Sequence, residues 1–596
     1  MTDSKKTDTT IPFDPVSIFG TKKTYHAVAS EFHPFHKHDL NVALHLLTTG
    51  LGVWGAIQLA ATVFASPQVV YAYAGLIALT VPFTTAVLHT AFVFACLQFT
   101  VPAVTINDVS LTELHVALLA IAAGYGLQDL AHYICAEKTY MSTYVNAKPW
   151  MLVVHSLWLM PLVIDSVLMR WCFLPKLFVT RNRNINTDVA SKKACDELRQ
   201  WIKENVEETP ETTHVWPHKQ EATSGPVLAL ENDAALMANF RRIFASHHYD
   251  IRPIQGMNEI YITAVGAKSS MSSDAVFYTP HTDGPYWFTP FASCYRVLVG
   301  VTPNKMVRTR FNLQHESQDQ VLDLYHVIGF DYNRELHFID HVPGETNTER
   351  RSLIKLHYVV YPKGWHWYGN LVAYLNQSYN TWARNNFLRT LRPSSMFAKA
   401  NAWWIWLTTY FNFKWEESVG WSNLTYMLIS YALGPQAFLV LTSFRHYCIY
   451  MSTFAFREPD VAHGNLMRDA KFYKTVAMCH MAYRLLPVLQ FPKDLPVVAC
   501  AAAGFAVTIL ATIQLGFVRT YFGSELGFVQ PKWITGFPYN TIPHPMIVGQ
   551  LFAWGSILYF LAIREDRLTM ETINLIGAHM TFYTAHMVQE MMTSSY

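Results

Sequence analysis

The sequence predicts a multidomain membrane protein in which two α-helical transmembrane bundles flank a cytosolic antiparallel β domain. Three observations carry this. Of the 596 residues, 51% are hydrophobic and only 15% are charged, against roughly 25% charged in an average soluble protein. The apolar residues gather into runs on both sides of one long polar segment, roughly residues 175 to 365, and a bilayer span needs ~20 such residues. Inside the polar segment, short runs rich in Val, Ile, Tyr and Phe alternate with turn residues, as strands do.

This length exceeds one ordinary domain, so three or more modules are expected. The reading divides the chain into a polar tail (1–32), a helical membrane domain (33–175), a helical and linker segment (176–249), a β domain (250–365), an aromatic interfacial segment (366–415) and a second membrane domain (416–596). The net charge of +2 points to no nucleic-acid partner. The eight Cys include no CxxC pair, which argues against a disulfide framework or a structural zinc site. The polar start, Met1 to Thr10, precedes no short apolar core with a cleavage site, so no secretory signal peptide is expected.

In the first block, Asn41 to Ala65, Val69 to His89, Thr90 to Val104, Leu111 to Tyr133 and Pro149 to Cys172 predict four or five spans. Basic residues before the first (Lys22, Lys23, Lys37) and after the last (Lys176, Arg181, Arg183) place both flanks in the cytosol and favour an even number. The polar residues are more informative. His33, His36, His38, Asn41 and His45 open the first helix, and Gln128, Asp129, His132 and Glu137 follow on a later one. Asn41 and His45 share a helical face. Ionisable groups at membrane depth usually line a cavity or bind something, although His residues that bond neighbouring helices fit the spacing equally well. This order, with Trp158 to Leu162 on a later helix, resembles the small membrane 2-hydroxy fatty acid dioxygenases of phytosphingosine breakdown, over roughly residues 25 to 172. The resemblance implies iron held by His36 or His38, His45 and His132.

The middle segment starts with an amphipathic stretch, Asp188 to Glu208, and a turn-rich linker. Runs at Ile260 to Val265, Ala275 to Tyr278, Tyr295 to Val301, Met306 to Asn312 and Ser352 to Tyr361 predict strands of an antiparallel double sheet, of the jelly-roll kind. Phe277 to Pro285 contains His281-x-Asp283, and on a strand residues i and i+2 project to one side. With a distant His, such a pair makes the facial triad that holds non-haem Fe(II) and leaves coordination positions open. Tyr295 and Arg296, the run Phe330-Asp331 before His337, and Arg350 and Arg351 follow in order. The whole resembles the double-stranded β-helix of Fe(II)/2-oxoglutarate oxygenases, nearest the aspartyl, asparaginyl or prolyl hydroxylase branch, over about residues 250 to 362. The resemblance implies His281, Asp283 and a distal His as iron ligands, with Arg351 on the 2-oxoglutarate carboxylate. A planar guanidinium suits that task. His337 follows Phe-Asp in the usual way, whereas His341 has the more usual spacing to Arg351.

Trp365, Trp367, Trp382, Trp403, Trp404 and Trp406 mark an aromatic segment suited to the membrane–water boundary. The second membrane block shows runs near Val419 to Phe444, Leu495 to Val518, His544 to Ile563 and Met570 to Met592, with a fifth around Val476 to Leu489. A charged stretch, Arg445 to Lys474, reads as a solvated loop. Residues 514 to 527 and 536 to 549 place glycines at a helix end, then a Pro-Asn turn and a helix starting at Pro545. Packing alone would explain those glycines. The run nevertheless resembles the integral-membrane phospholipid N-methyltransferases, over roughly residues 420 to 592. The resemblance implies S-adenosylmethionine near Gly516, Gly523 and the turn that carries Gly536, Pro545 and Met546. The family's Glu-Glu pair is missing here; His579, His586 and Glu590, one turn later, are the groups that could replace it.

Taken together, the resemblances imply a lipid-modifying enzyme of the endoplasmic reticulum membrane. It would combine Fe(II)/2-oxoglutarate-dependent hydroxylation with S-adenosylmethionine-dependent N-methylation of a lipid amine, beside an N-terminal iron site. The alternative is a non-catalytic membrane scaffold or sensor with degenerate modules.

Overall fold

The computed structural model describes residues 25, 28–30, 32–64, 67–99, 104–106, 109–139, 149–171, 184–209, 212–244, 249–263, 275–284, 289, 291–312, 319–390, 395–456 and 462–593. The chain forms two compact units. One comprises Met1–Lys176, Ser430–Pro459 and Ala470–Tyr596, and the other Leu177–Ile429 with Asp460–Asp469. Among the described residues four helices are long and apolar enough to cross a membrane: Asp39–Val63, Glu113–Ile134, Leu495–Leu515 and Pro545–Arg564.

In the first unit, α1 (Asp39–Val63) and α2 (Glu113–Ile134) run antiparallel. Small residues let the two backbones approach, as is usual between membrane helices. A Cβ on Gly124 would lie 2.7 Å from the Gly52 Cα. Two turns from that crossing, His45 on α1 and His132 on α2 come together. The expected spans Val69 to His89 and Thr90 to Val104 are instead shorter helices, Gln68–Thr80 and Phe83–Gln98. The break lies at Val81, whose extended backbone (φ −117°, ψ 167°) is what the following Pro82 favours.

The second unit is built on strands β1 (Ile185–Asp188), β2 (Thr213–Val215), β3 (Tyr249–Pro253), β4 (Glu259–Thr263), β5 (Ser293–Gly300), β6 (Val307–Phe311), β7 (Gln320–Val321), β8 (His326–Asp331), β9 (His337–His341) and β10 (Arg351–Pro362). A seven-stranded sheet has the order β1-β8-β5-β10-β4-β2, with β3 also on β10, and a three-stranded sheet has the order β9-β6-β7. All the pairings are antiparallel.

Alternation along the central strands sorts the side chains. Val297 and Val299 of β5 and Ile354, Leu356 and Tyr358 of β10 face a core completed by Leu198, Leu230 and Phe240 of the preceding helices. The other parity carries Arg296, Leu298, Arg351, Leu353, Lys355 and His357, and this face holds the site. Helix α3 (His366–Thr390) follows β10 and adds Val372 and Ala373 to the core on that face. Helix α4 (Met396–Ser418) comes next, with the Ser395 hydroxyl accepting from the Ala398 N–H at its start.

Two expectations for this unit need correction. Ala275–Tyr278 is a single helical turn, not a strand; Val, Phe and Tyr favour strands, but Pro280 stands close behind. Nor does a regular strand carry the His-x-Asp pair. His281 makes one isolated bridge, to His337, and the Asp283 N–H donates to the Tyr332 carbonyl at 3.0 Å.

Returning to the first unit, α5 (Leu495–Leu515) and α6 (Pro545–Ile557) cross at Gly504 and Gly549, where a Cβ on either would stand 2.5 Å from the other's carbonyl oxygen. The last helix, α7, is Met570–Thr593. The run Val419 to Phe444 is divided between Trp421–Ala432 and Pro435–Phe456, with Gly434 (φ +106°) before Pro435 at the break. The charged stretch expected as a loop is largely helical: Arg445 lies in Pro435–Phe456 and residues 463 to 474 lie in His463–Leu485. Arg457 and Glu458 lie outside the described residues. Arg468 is satisfied by Asp469 (2.9 Å) and Glu416 (3.1 Å), so its charge does not need solvent.

Candidate active site

The bridge between His281 and His337 sets two imidazoles side by side, with ring centroids 4.7 Å apart. The Nδ1 atom of His281 is 2.8 Å from the Thr279 carbonyl and that of His337 is 2.9 Å from the Glu335 carbonyl. A carbonyl only accepts, so each Nδ1 carries the proton and each Nε2 presents its lone pair. Both Nε2 atoms face Asp283, at 3.6 Å from Oδ1 and 2.9 Å from Oδ2 respectively. Ligand atoms of the three residues all lie within 4.8 Å of one another, as a bound metal ion requires. His341 turns elsewhere: its Nε2 is 3.1 Å from the Tyr278 hydroxyl.

Three cations surround this group. Arg296 on β5 donates to the Asp283 carboxylate through Nη1 and to His357 through Nε (3.1 Å), which fixes the carboxylate against the histidines. Burial opposes the ionisation of Asp283, yet its charged surroundings, Arg296 foremost, hold the carboxyl well below the usual carboxylate range. Burial lowers the His337 imidazole against the pull of Asp283, favouring the neutral form that ligates metals. Lys355 sits opposite Glu259 across the β10–β4 ladder, 3.3 Å away, and Glu259 also binds His214. Arg351 is different. It is 3% exposed, its Nε has no hydrogen-bond partner, and among the described residues no carboxylate pairs with it. A buried, unpaired guanidinium is a standing demand for an anion.

Arg351 lines the same cavity, of about 50 Å³, as His281 and His337, with Tyr261, Phe277 and Phe330 among its apolar walls. Arg296 was visible in the sequence only as a strand residue, and Glu259, Lys355 and His357 gave no signal there. Their roles arise from register, which pairs Arg296 with His357 and Lys355 with Glu259.

In the helical unit, His36, His45 and His132 form a second group with metal-ligand separations. Their ring centroids stand 4.6, 4.9 and 4.7 Å apart in a near-equilateral triangle. The Nδ1 of His36 is held by the Phe32 carbonyl and that of His45 by the Asn41 carbonyl. Asn41 bridges His132 (3.2 Å) and Glu137 (2.5 Å). His38 is not in this group; it caps α1 by accepting from the Leu40 N–H.

The residues expected around the methyl donor are less concentrated. Met546 and Glu590 line one cavity of about 90 Å³, with Lys474, His586 and Gln550. Glu590 is held by His544 (2.8 Å) and His586 (3.2 Å). Pro545 is buried at the start of α6. Gly516, Gly523 and Gly536 do not line the cavity. Gly516 ends α5 with φ +84°, and a Cβ on Gly523 would lie 2.6 Å from Val518, so these two serve tight turns. His579 bonds the Tyr447 hydroxyl instead.

No protein-family model and no curated protein matches the chain. Among solved structures it is similar to a prolyl 4-hydroxylase from Phytophthora capsici, with 13% identity, 39% of this chain and 83% of that chain covered, and a TM-score of 0.23. A likeness at that score carries no weight, and the site stands on its own geometry.

Proposed function

We propose that the β unit is an Fe(II)- and 2-oxoglutarate-dependent oxygenase of the double-stranded β-helix type, within a lipid-modifying membrane enzyme. The observation that carries this is the buried Arg351, with no carboxylate partner among the described residues, in one cavity with His281 and His337, whose ligand atoms converge with that of Asp283. Two neutral imidazoles and one carboxylate fit Fe(II), and a guanidinium fits a dicarboxylate co-substrate. When bound, Fe(II) supplies the coupled oxidation in which O2 converts 2-oxoglutarate to succinate and CO2 and hydroxylates a substrate C–H bond. His281, Asp283 and His337 would hold it. Arg296 keeps the Asp283 carboxylate ionised and oriented, and the two carbonyls keep the imidazole Nε2 atoms turned inward. Arg351 binds and orients the far carboxylate of 2-oxoglutarate, while Phe277 and Phe330 keep water from the reacting atoms. The test is metal content of the purified chain reconstituted anaerobically with Fe(II), alongside succinate formation from 2-oxoglutarate. The variant His281→Ala with Asp283→Ala should lose one iron and the turnover together; unchanged iron would sink the assignment.

The triangle of His36, His45 and His132 supports a second reading, an additional iron site for oxidation of an acyl chain at membrane depth. The cavity that joins Met546 to Glu590 supports a third: S-adenosylmethionine with its cationic end beside the Glu590 carboxylate, and methyl transfer achieved by proximity to a lipid amine.

A further inference from the structure

Helices α3 and α4 bury little of their aromatic surface. On α3, Trp367, Leu371, Tyr374 and Trp382 are exposed at spacings that form one stripe, while Val372, Ala373 and Asn376 turn into the domain. On α4, at ~100° per residue, Trp403, Trp404, Trp406, Tyr410 and Phe411 fall on one half of the helix. Trp403 and Phe411 are each 60% exposed. On the other half, Asn401, Ile405, Asn412 and Phe413 are buried or half-buried. Contiguous apolar exposure of this kind marks an interaction surface.

The chemistry of the two faces selects the partner. They are rich in Trp and Tyr, the residues that settle at the headgroup level of a bilayer. Helix α3 contains no acidic residue. On α4 Glu416 is taken up by Arg468 and Glu417 by Lys414 (2.9 Å), so no free acid repels a headgroup and Lys399 remains exposed. The same chain carries helices apolar enough to cross a membrane, so a bilayer is at hand wherever it works.

The inner sides of these helices lead to the candidate iron site. Asn412 Nδ2 donates to the Thr282 hydroxyl (3.3 Å), and Thr282 stands between His281 and Asp283. Phe413 packs on Leu336, the neighbour of His337. From α3, the Phe387 ring meets Phe277 of the cavity wall at 5.4 Å between centroids.

We infer that α3 and α4 lie on the bilayer surface and that the cavity beside them takes a membrane-borne, apolar substrate rather than a soluble peptide. The inference rests on the oxygenase reading for its chemistry, and on the two helices for its substrate class.

The test uses the full chain in nanodiscs of phosphatidylcholine with about 20% phosphatidylserine, doped with a diazirine-acyl phosphatidylcholine. After irradiation, lipid adducts are mapped by mass spectrometry. Peptides from 366–390 and 396–418 should be labelled at least about tenfold more than the solvent-facing helix Lys192–Asn205. Labelling at the level of that control, whether the faces are bare or covered by another protein, would overturn the inference. In native-membrane nanodiscs, Trp403→Glu with Trp404→Glu should cut succinate formation about tenfold while iron content stays within about twofold. Turnover untouched by that change would overturn the substrate class. Iron content and its loss in His281→Ala with Asp283→Ala are read without lipid labelling, so failure here is separable from failure of the oxygenase reading.

Discussion

His281 and His337 stand opposite one another across a single antiparallel bridge, each backbone N–H donating to the other's carbonyl at 3.1 and 3.0 Å. Residues directly opposite in such a bridge project to the same side. One pair of backbone hydrogen bonds therefore joins two segments separated by more than fifty residues and sets the separation of two imidazoles.

His337→Ala should abolish stoichiometric iron binding by the β unit, and His341→Ala should leave it within about twofold. The bridge brings only His337 to Asp283, whereas His341 stacks on Tyr278. Metal analysis of the two variants, each compared with His281→Ala, decides the matter. Iron lost with His341 and kept without His337 would reverse the assignment.

Arg351→Gln should raise the KM for 2-oxoglutarate about 10- to 100-fold, because a hydrogen bond to a charged group contributes ~1.5–3 kcal/mol. Iron content should not change, since Arg351 is not a ligand. Arg351→Lys should recover only part of the loss: it restores charge but not the planar fork. An unchanged KM would remove the anion-binding role.

Local pattern and register contributed unequally to what could be read in the sequence. The four long apolar helices were legible because a span is a continuous run, and the misplaced ends fall where one residue overrides that run, at Pro82 and at Gly434-Pro435. Strands β4, β5, β6 and β10 were legible from Val- and Ile-rich runs, whereas β1 and β2 lie in the segment read as helix and linker, and at Ala275–Tyr278 the strand-forming residues make one helical turn. His281-x-Asp283 is a local motif and visible as such. Choosing between His337 and His341 needs the bridge, which no spacing reports. The pairs Arg296–His357 and Lys355–Glu259 are cross-strand neighbours whose partners lie far apart in the chain, so the charged floor of the cavity had no local signature. In the membrane helices, His36 and His38 were equivalent by spacing. Cap geometry separates them, because His38 is spent on the Leu40 N–H.

Glu259→Gln should loosen the β4–β10 pairing, since breaking a buried ion pair costs about 3–5 kcal/mol. Lys355 and His214 would both lose their carboxylate. Burial opposes the Glu259 charge, but Lys355 and His214 overcome it and place its carboxyl below the ordinary value. The unfolded chain, with an ordinary Glu value of ~4.3, then binds the proton more readily. The stabilisation is therefore complete above about pH 4.3 and declines as the pH falls through the lower folded value. Amide hydrogen exchange of β4 and β10 should show faster opening of Glu259→Gln at pH 7, and a shallower acid dependence below about pH 4.3 than in the parent chain. Equal exchange at pH 7 would show that the pair contributes little.

The helical site can be isolated by working in the His281→Ala, Asp283→Ala background, where any remaining iron reports His36, His45 and His132. Alanine at any of these three should remove that iron. His38→Ala should retain it, because its ring lies outside the group of three and caps α1, worth ~1 kcal/mol of helix stability. Asn41→Ala should weaken iron about 10- to 100-fold without abolishing it, as expected of a group that orients a ligand from behind. Its amide reaches both His132 and Glu137, and Glu137 in turn accepts the backbone N–H groups of Lys37 and His38. Iron titration of the five variants separates ligand, orienting residue and cap by size of effect. Equal losses from His36→Ala and His38→Ala would mean that the segment ahead of α1 acts as a fold rather than as a donor.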